Sequence, residues 1–234
     1  TLLAQADSCI GSKSSINVSK WKNIVGTYTP PRRVAVWPGF LDTLEDVEIR
    51  SGLGEMLKVH AIAGPAAFDE IASDYEAMLR DRTLLLRYVR RSLEIKKELI
   101  EADEFDEGVR LVLNYGHSFG HAIESATRFG IPHGIAITIG MDLANFVASQ
   151  LGRAPMELYQ RMHPALRSNY RKFEEYPIDS GDVALALMRD KKNEGQDLRF
   201  LLPNSTGEIE LVRHRMSEDF RATLERFLTI ERST

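Results

Sequence analysis

Apolar positions recur along this chain with two different rhythms. Residues 1–46 set short apolar runs between Gly, Ser, Asn and Pro, whereas from Thr43 onward the apolar residues return at helical spacing. The first stretch reads as strands and loops, with VAVW at 34–37 as a strand entered through the Pro30-Pro31 break. Lys13, Asn17, Lys22 and Asn23 fall on what reads as loop backbone rich in small residues. Two ammonium groups and two amides there suit a phosphate, while the plainer reading is solvated lysines on a loop.

The helical part divides into segments with different faces. IRSGLGEMLKVHAIAG predicts a helix opening near Ser51 or Gly52, with Glu55, Lys58 and Ile62 on one face and Leu53, Met56, Leu57 and His60 on another. Taken locally, Glu55 and Lys58 make an exposed i,i+3 ion pair of little energetic worth. Residues 66–82 predict one amphipathic helix. The next, from about Thr83 to Glu101, carries the stripe Leu85, Leu86, Val89, Leu93, Leu99 and Ile100, with Lys96 inside its arc. That lysine either snorkels to water or lines a cavity with an anionic partner.

A helix over 116–127 places His117, His121 and Glu124 on one face and Phe119, Ala122, Ile123 and Ala126 on the opposite one. After His133, GIAITIGMDLANFVASQLG is apolar nearly all round, the pattern of a buried helix. Residues 152–176 read as helix and loop interrupted by Pro155 and Pro164. GDVALALMRDKKN predicts a helix capped by Ser180 or Asp182, with Arg189, Lys191 and Lys192 complementing its C-terminal dipole. LRFLLPNSTGEIELV reads as a β-hairpin, and helix resumes at Ser217.

Composition narrows the function classes. With 234 residues and 43% hydrophobic content the chain buries a substantial core, as one large domain or two small ones. A net charge of −4 offers no basic field for nucleic acid, and no apolar run is long enough to span a bilayer. A small-molecule partner follows. The lone Cys9 and the absence of a charged leader point to a reducing cytoplasm. The opening TLLAQADS, without Met and already element-like, predicts a longer polypeptide. No internal repeat and no Gly-rich dinucleotide fingerprint occurs.

The histidines carry the candidate chemistry. Imidazoles plus a carboxylate are the ligand set of catalytic zinc, and His117 and His121 at i and i+4 could hold one ion together. Ser118, Phe119 and Gly120 stand between them, so the Glu base of the helical zinc signature is missing. The alternative division puts one histidine on the metal and frees the other for proton transfer. Spacing leaves both divisions open, with His133 as a third candidate.

TLLAQADSCIGSK, the interval from Asn17 to Lys22-Asn23, FLDTL, RSGLGEMLK, LNYGHSFGHAIE, PHG and RDKKN together resemble the sugar-phosphate cyclases, most closely the 3-dehydroquinate synthase family. The resemblance implies a multidomain α/β plus α fold: residues 1–46 as the C-terminal remnant of an NAD-binding α/β domain, and 47–234 as a mainly all-helical metal- and substrate-binding domain. It implies Zn2+ (or Co2+) on Glu55, His117 and His133, with His121, Lys58 and Asn114 as catalytic groups. Asp7, Lys13, Asn23, Lys96, Arg110 and Lys192 match substrate contacts, with Lys191 as the other candidate of that pair. Thr1, Leu3, Lys22, Phe40, Thr43, Leu44 and Glu48 match positions that hold NAD.

The implied reaction is cyclising lyase chemistry. It converts 3-deoxy-D-arabino-heptulosonate 7-phosphate to 3-dehydroquinate and phosphate, in a homodimeric cytoplasmic enzyme of the shikimate route. Gly11-Ser12-Lys13-Ser14, Tyr115 and Ile135 depart from the common family pattern. Related cyclases making deoxy-inosose or valiolone rings, a metal-dependent polyol dehydrogenase and a non-catalytic helical domain are the competing expectations. Because Asn114, His121, Lys96 and Arg110 are all present, the carboxylate-bearing substrate is favoured.

Overall fold

Helix α6 (His133–Gln150) is buried at every residue from Gly134 to Ala148, as its all-round apolar sequence predicts, and other helices cross it at very short range. The glycines explain the closeness. A Cβ on Gly134 would fall 1.7 Å from the Ser51 carbonyl oxygen, and one on Gly54 would fall 2.1 Å from the Gly134 oxygen. Helix α1 (Asp46–Ile62) therefore lies backbone to backbone on the N-terminal half of α6. Further along, a Cβ on Gly140 would meet the Gly116 oxygen at 2.3 Å, which seats α5 (His117–Ala126) on the same helix.

In this computed structural model the backbone is described for residues 1–18, 21–190, 193 and 197–234, and side chains are described for these except residues 15–18 and 21–25. Around the α1–α5–α6 centre pack α2 (Pro65–Ser73), α3 (Tyr75–Met78), α4 (Arg82–Ala102), α7 (Met156–Tyr170), α8 (Ser180–Met188) and α9 (Glu218–Thr229). Strands β1 (Lys13–Val18) and β2 (Trp21–Tyr28) pair antiparallel, from Lys13 opposite Tyr28 to Val18 opposite Trp21. Strands β3 (Asp197–Pro203) and β4 (Ile209–Arg215) form a second antiparallel hairpin, as expected. Phe200 of β3 is sandwiched between Phe119 of α5 (5.3 Å between ring centres) and Phe220 of α9 (5.7 Å, nearly parallel). No described helix is long and apolar enough to cross a membrane.

Several local expectations are corrected. The interval holding Lys13 is strand β1, not loop, and Val34–Trp37 is not a strand. No described strand runs beside those residues, and Trp37 is 64% exposed, so VAVW has β-propensity without a ladder to join. α1 begins at Asp46, not near Ser51. The single helix expected over 66–82 is broken at Asp74 into α2 and α3. α7 runs straight through Pro164. That residue and Gln160, whose carbonyl loses its partner, are both exposed, so water can replace the missing bond. α8 is capped by Asp179, whose carboxylate accepts from the Asp182 N–H at 2.8 Å.

Candidate metal centre

The close helix crossings bring three side chains from three elements to one point. Glu55 follows Gly54 on α1, His117 opens α5, and His133 opens α6 beside Gly134. Glu55 Oε1 stands 3.6 Å from His117 Nε2 and 3.4 Å from His133 Nε2. A tetrahedral ion with bonds of about 2.0–2.1 Å sets its ligand atoms roughly 3.3 Å apart, so the two distances from Glu55 suit a divalent cation. Glu55 is 1% exposed, and neither of its carboxylate oxygens makes a hydrogen bond. Lys58 Nζ, 3% exposed, approaches Oε2 at 2.5 Å as an ion pair. The exposed-pair reading of Glu55 and Lys58 is thus overturned, because both faces of α1 are covered. A buried carboxylate with so few partners is costly unless a further cation satisfies it.

The outer ring nitrogens are committed elsewhere. His117 Nδ1 lies 3.2 Å from the Tyr115 carbonyl oxygen, and His133 Nδ1 lies 3.0 Å from Glu124 Oε1. With Nδ1–H donating to these oxygens, both Nε2 atoms face the cluster, and His133 would give up its Nε2 proton to take the role of a metal-ligating histidine. Burial, then the Lys58 ammonium, holds His117 well below the ordinary imidazole range, which keeps it neutral. Burial works against charge on His133, but the carboxylates of Glu124 and Glu55 outweigh it and lift it to about 9. Burial likewise disfavours ionised Glu55, yet Lys58, His117 and His133 together hold its carboxyl well below the usual range.

His121 stands apart from that trio. Its ring centre is 5.2 Å from that of His117 and 5.8 Å from that of His133, and its Nε2 lies 3.9 Å from Glu124 Oε2. About a third of its side chain is exposed, so it can exchange protons with solvent or a ligand. His121, Glu124 and His133 form a second set of closely spaced donor atoms that shares His133 with the first. Glu124 is the site residue that sequence reasoning left without a role. Its place on the His117–His121 face was the available signal.

The expected substrate residues gather elsewhere on α4 and the turns against it. Lys96 is 8% exposed and donates to the Asp7 carbonyl (2.6 Å) and carboxylate (3.0 Å), so the anionic partner its position demanded is Asp7 of the Ala4–Ser8 turn. Arg110, also buried, donates to the Glu104 carbonyl at 2.6 Å and packs its guanidinium against Gly11. Lys13 pairs with Asp106. Asn114 ends a 3-10 turn, Val109–Asn114, and donates to the Leu111 carbonyl at 3.1 Å. The side chains of Lys22 and Asn23, and the residues Lys191 and Lys192, lie outside the described residues.

The residues expected at the nicotinamide cofactor collect toward the start of α1. Leu2, between Thr1 and Leu3, fills the place a Cβ on Gly52 would occupy, one turn beyond Glu48. Phe40 is 66% exposed beside exposed Trp37 and Thr43, while Leu44 is half-buried. Exposed rings at 37 and 40 offer a surface on which a planar group can stack. Two of the departures from the family pattern are core residues: Ile135 is fully buried, and Tyr115 is fully buried with its hydroxyl donating to Asn145.

Residues 52–193 match the family described as 3-dehydroquinate synthase C-terminal, and residues 1–51 match 3-dehydroquinate synthase N-terminal. The curated 3-dehydroquinate synthase of Dictyoglomus thermophilum is 36% identical over 222 residues, covering 94% of this chain and 62% of that relative. Its counterpart in Helicobacter pylori is 34% identical over 228 residues, covering 97% of this chain and 65% of the relative. The chain thus spans slightly less than two thirds of the length of these relatives. Among solved structures, the 2-epi-5-epi-valiolone synthase of Streptomyces hygroscopicus, with NAD+ and Zn2+ bound, matches at TM-score 0.84 and 26% identity, covering 99% of this chain and 65% of that one. A 2-deoxy-scyllo-inosose synthase complexed with carbaglucose-6-phosphate, NAD+ and Co2+ shares the fold at TM-score 0.79 and 23% identity, covering 97% and 64%. By its matched regions, its relatives and its fold, the chain belongs to the 3-dehydroquinate synthase family.

Proposed function

We propose that this chain carries the metal- and substrate-binding machinery of a 3-dehydroquinate synthase. Residues 1–46 close an NAD-binding α/β domain, and residues 47–234 form the helical domain that holds metal and sugar phosphate. The observation that carries this reading is the convergence of Glu55, His117 and His133 around a buried, under-satisfied carboxylate. The reaction converts 3-deoxy-D-arabino-heptulosonate 7-phosphate to 3-dehydroquinate and phosphate, in a homodimer of the cytoplasm.

Glu55, His117 and His133 would hold Zn2+ or Co2+, and Thr1, Leu3, Phe40, Thr43, Leu44 and Glu48 would face NAD. When bound, the cation supplies Lewis-acid polarisation of a substrate hydroxyl and NAD supplies a hydride acceptor that returns what it takes. The rest falls to the chain's own groups. Lys58, dry and beside Glu55, directs an ammonium at substrate oxygens. His121, partly exposed and outside the ligand trio, takes and returns protons at its Nε2. Lys96 and Arg110 present fixed cations to the substrate carboxylate, with Asp7 holding the Lys96 ammonium in place. Asn114 and Lys13 complete the polar cradle.

The test is phosphate release by the full-length protein, offered each candidate sugar phosphate in turn with NAD and zinc. Turnover of the carboxylate-bearing heptulosonate phosphate, with no net NADH, is the expected result. The fold likeness to the valiolone synthase makes a carbocycle-forming relative the second reading, and turnover only of carboxylate-free sugars would establish it. NADH accumulating in step with turnover would instead indicate a polyol dehydrogenase.

A further inference from the structure

Glu124 is 5% exposed, on the face of α5 that carries both His117 and His121, and its two carboxylate oxygens look at different histidines. Oε1 lies 3.0 Å from His133 Nδ1, the nitrogen opposite the one that faces Glu55. Oε2 lies 3.9 Å from His121 Nε2, three residues back on the same helix. We infer that Glu124 is a shared positioning residue, a single carboxylate that fixes the ring of the metal ligand His133 and the ring of the unligated His121 against each other. The inference deepens the proposed function and rests on its placing of the metal at Glu55, His117 and His133.

The local backbone is built to hold this carboxylate in place. The Glu124 carbonyl accepts from the Phe129 N–H at 2.7 Å and from the Thr127 hydroxyl at 3.3 Å, closing the end of α5. Arg128 and Phe129 both adopt left-handed conformations, φ 52° and 61°, which non-glycine residues reach at about 1–3 kcal/mol each. Those two residues reverse the chain so sharply that His133 returns to Glu124 within nine positions. An ordinary buried acid tying α5 to α6 would need only the His133 contact. The second oxygen aimed at His121 is what the shared role adds.

Charge on this carboxylate is what matters for both neighbours. Accepting from His133 Nδ1–H makes Nε2 a better donor to a cation, and such outer partners are typically worth about 10–100-fold in metal affinity. Toward His121 the same carboxylate, 3.9 Å from its Nε2, limits the directions its ring can take.

Glu124→Gln separates charge from shape, since the amide oxygen can still accept from His133 while the negative charge is gone. In the full-length protein, competition with a chelator should show zinc affinity about 10–100-fold weaker than in the parent, and the visible spectrum of the cobalt-loaded variant should shift. The unfolding temperature of the metal-free variant should match that of the metal-free parent. The His121 arm is read from a double-mutant cycle on kcat. Glu124→Gln should cost clearly less in a His121→Ala background than in the parent, because both changes act through one group. Unchanged zinc affinity and cobalt spectrum, or full additivity in the cycle, would overturn the shared role while leaving the proposed function standing. A parent protein that binds no metal would instead remove the reading on which the inference depends.

Discussion

His117 and His121 stand one helical turn apart on α5, and the company each keeps separates them. His117 is held with its Nδ1 on a backbone carbonyl and its Nε2 facing Glu55, partly buried and neutral. His121 has its Nε2 on the Glu124 side of the face and keeps access to solvent. His117→Ala should therefore abolish stoichiometric metal binding. His121→Ala should retain the metal and lose about 10²–10⁴-fold in turnover, the range a positioned proton-transfer group contributes. Metal content and kcat measured on the same preparations check both, and equal metal loss in the two variants would mean that they ligate together. The i,i+4 spacing could not have decided this, because it serves either arrangement. What places the two rings in different company is Glu55 and His133, which arrive from other helices and leave no trace in the local pattern.

At the scale of elements, the site exists because α1 and α6 touch backbone to backbone. Gly134→Ala would place a methyl 1.7 Å from the Ser51 carbonyl oxygen, a backbone atom that a rotamer change cannot move. The helices must part, at about 1–3 kcal/mol or more, and as they part Glu55 withdraws from His133. The expected outcome is a lower unfolding temperature together with weakened zinc binding, measured by thermal melts and chelator competition. Tight zinc binding in a destabilised variant would show that the crossing does not set the ligand distance. The long periodic elements were legible: α4 and α5 follow their apolar stripes, α6 its all-round apolar run, β3–β4 the turn signal of a hairpin, and α9 the return to helix at Ser217. The burial of Glu55 with Lys58 was not, since an i,i+3 charge pair normally faces water and the helix α6 that lies against this one is brought close by a glycine far along the chain. β1 and β2 were hidden for a different reason, their Gly, Ser and Asn content reading as loop. VAVW failed in the opposite sense, having strand-forming residues but no described neighbour to pair with.

At the scale of the whole molecule, the three proposed ligands each begin or sit within a different helix of the buried centre, so one cation would staple α1, α5 and α6 together. Without it, the pocket holds an almost fully buried carboxylate with a single close ammonium partner and two imidazoles at more than 3.3 Å. Binding in the folded state alone stabilises by RT ln(1 + [M]/Kd), which is about 4 kcal/mol at a thousandfold excess over Kd. For a domain of this size each kcal/mol moves the midpoint by about 2–4 °C, so chelation should lower the melting temperature of the loaded full-length protein by roughly 10 °C. His121→Ala should show the same loss on chelation, since it keeps all three ligands. His117→Ala should melt at one temperature with or without chelator. Differential scanning calorimetry on the three proteins, at matched concentrations and with zinc or chelator in excess, reads all of this without any substrate or turnover. A parent protein whose melting is indifferent to chelator would remove the metal from the centre of the fold, and a His121 variant that loses the shift would move the staple onto His121.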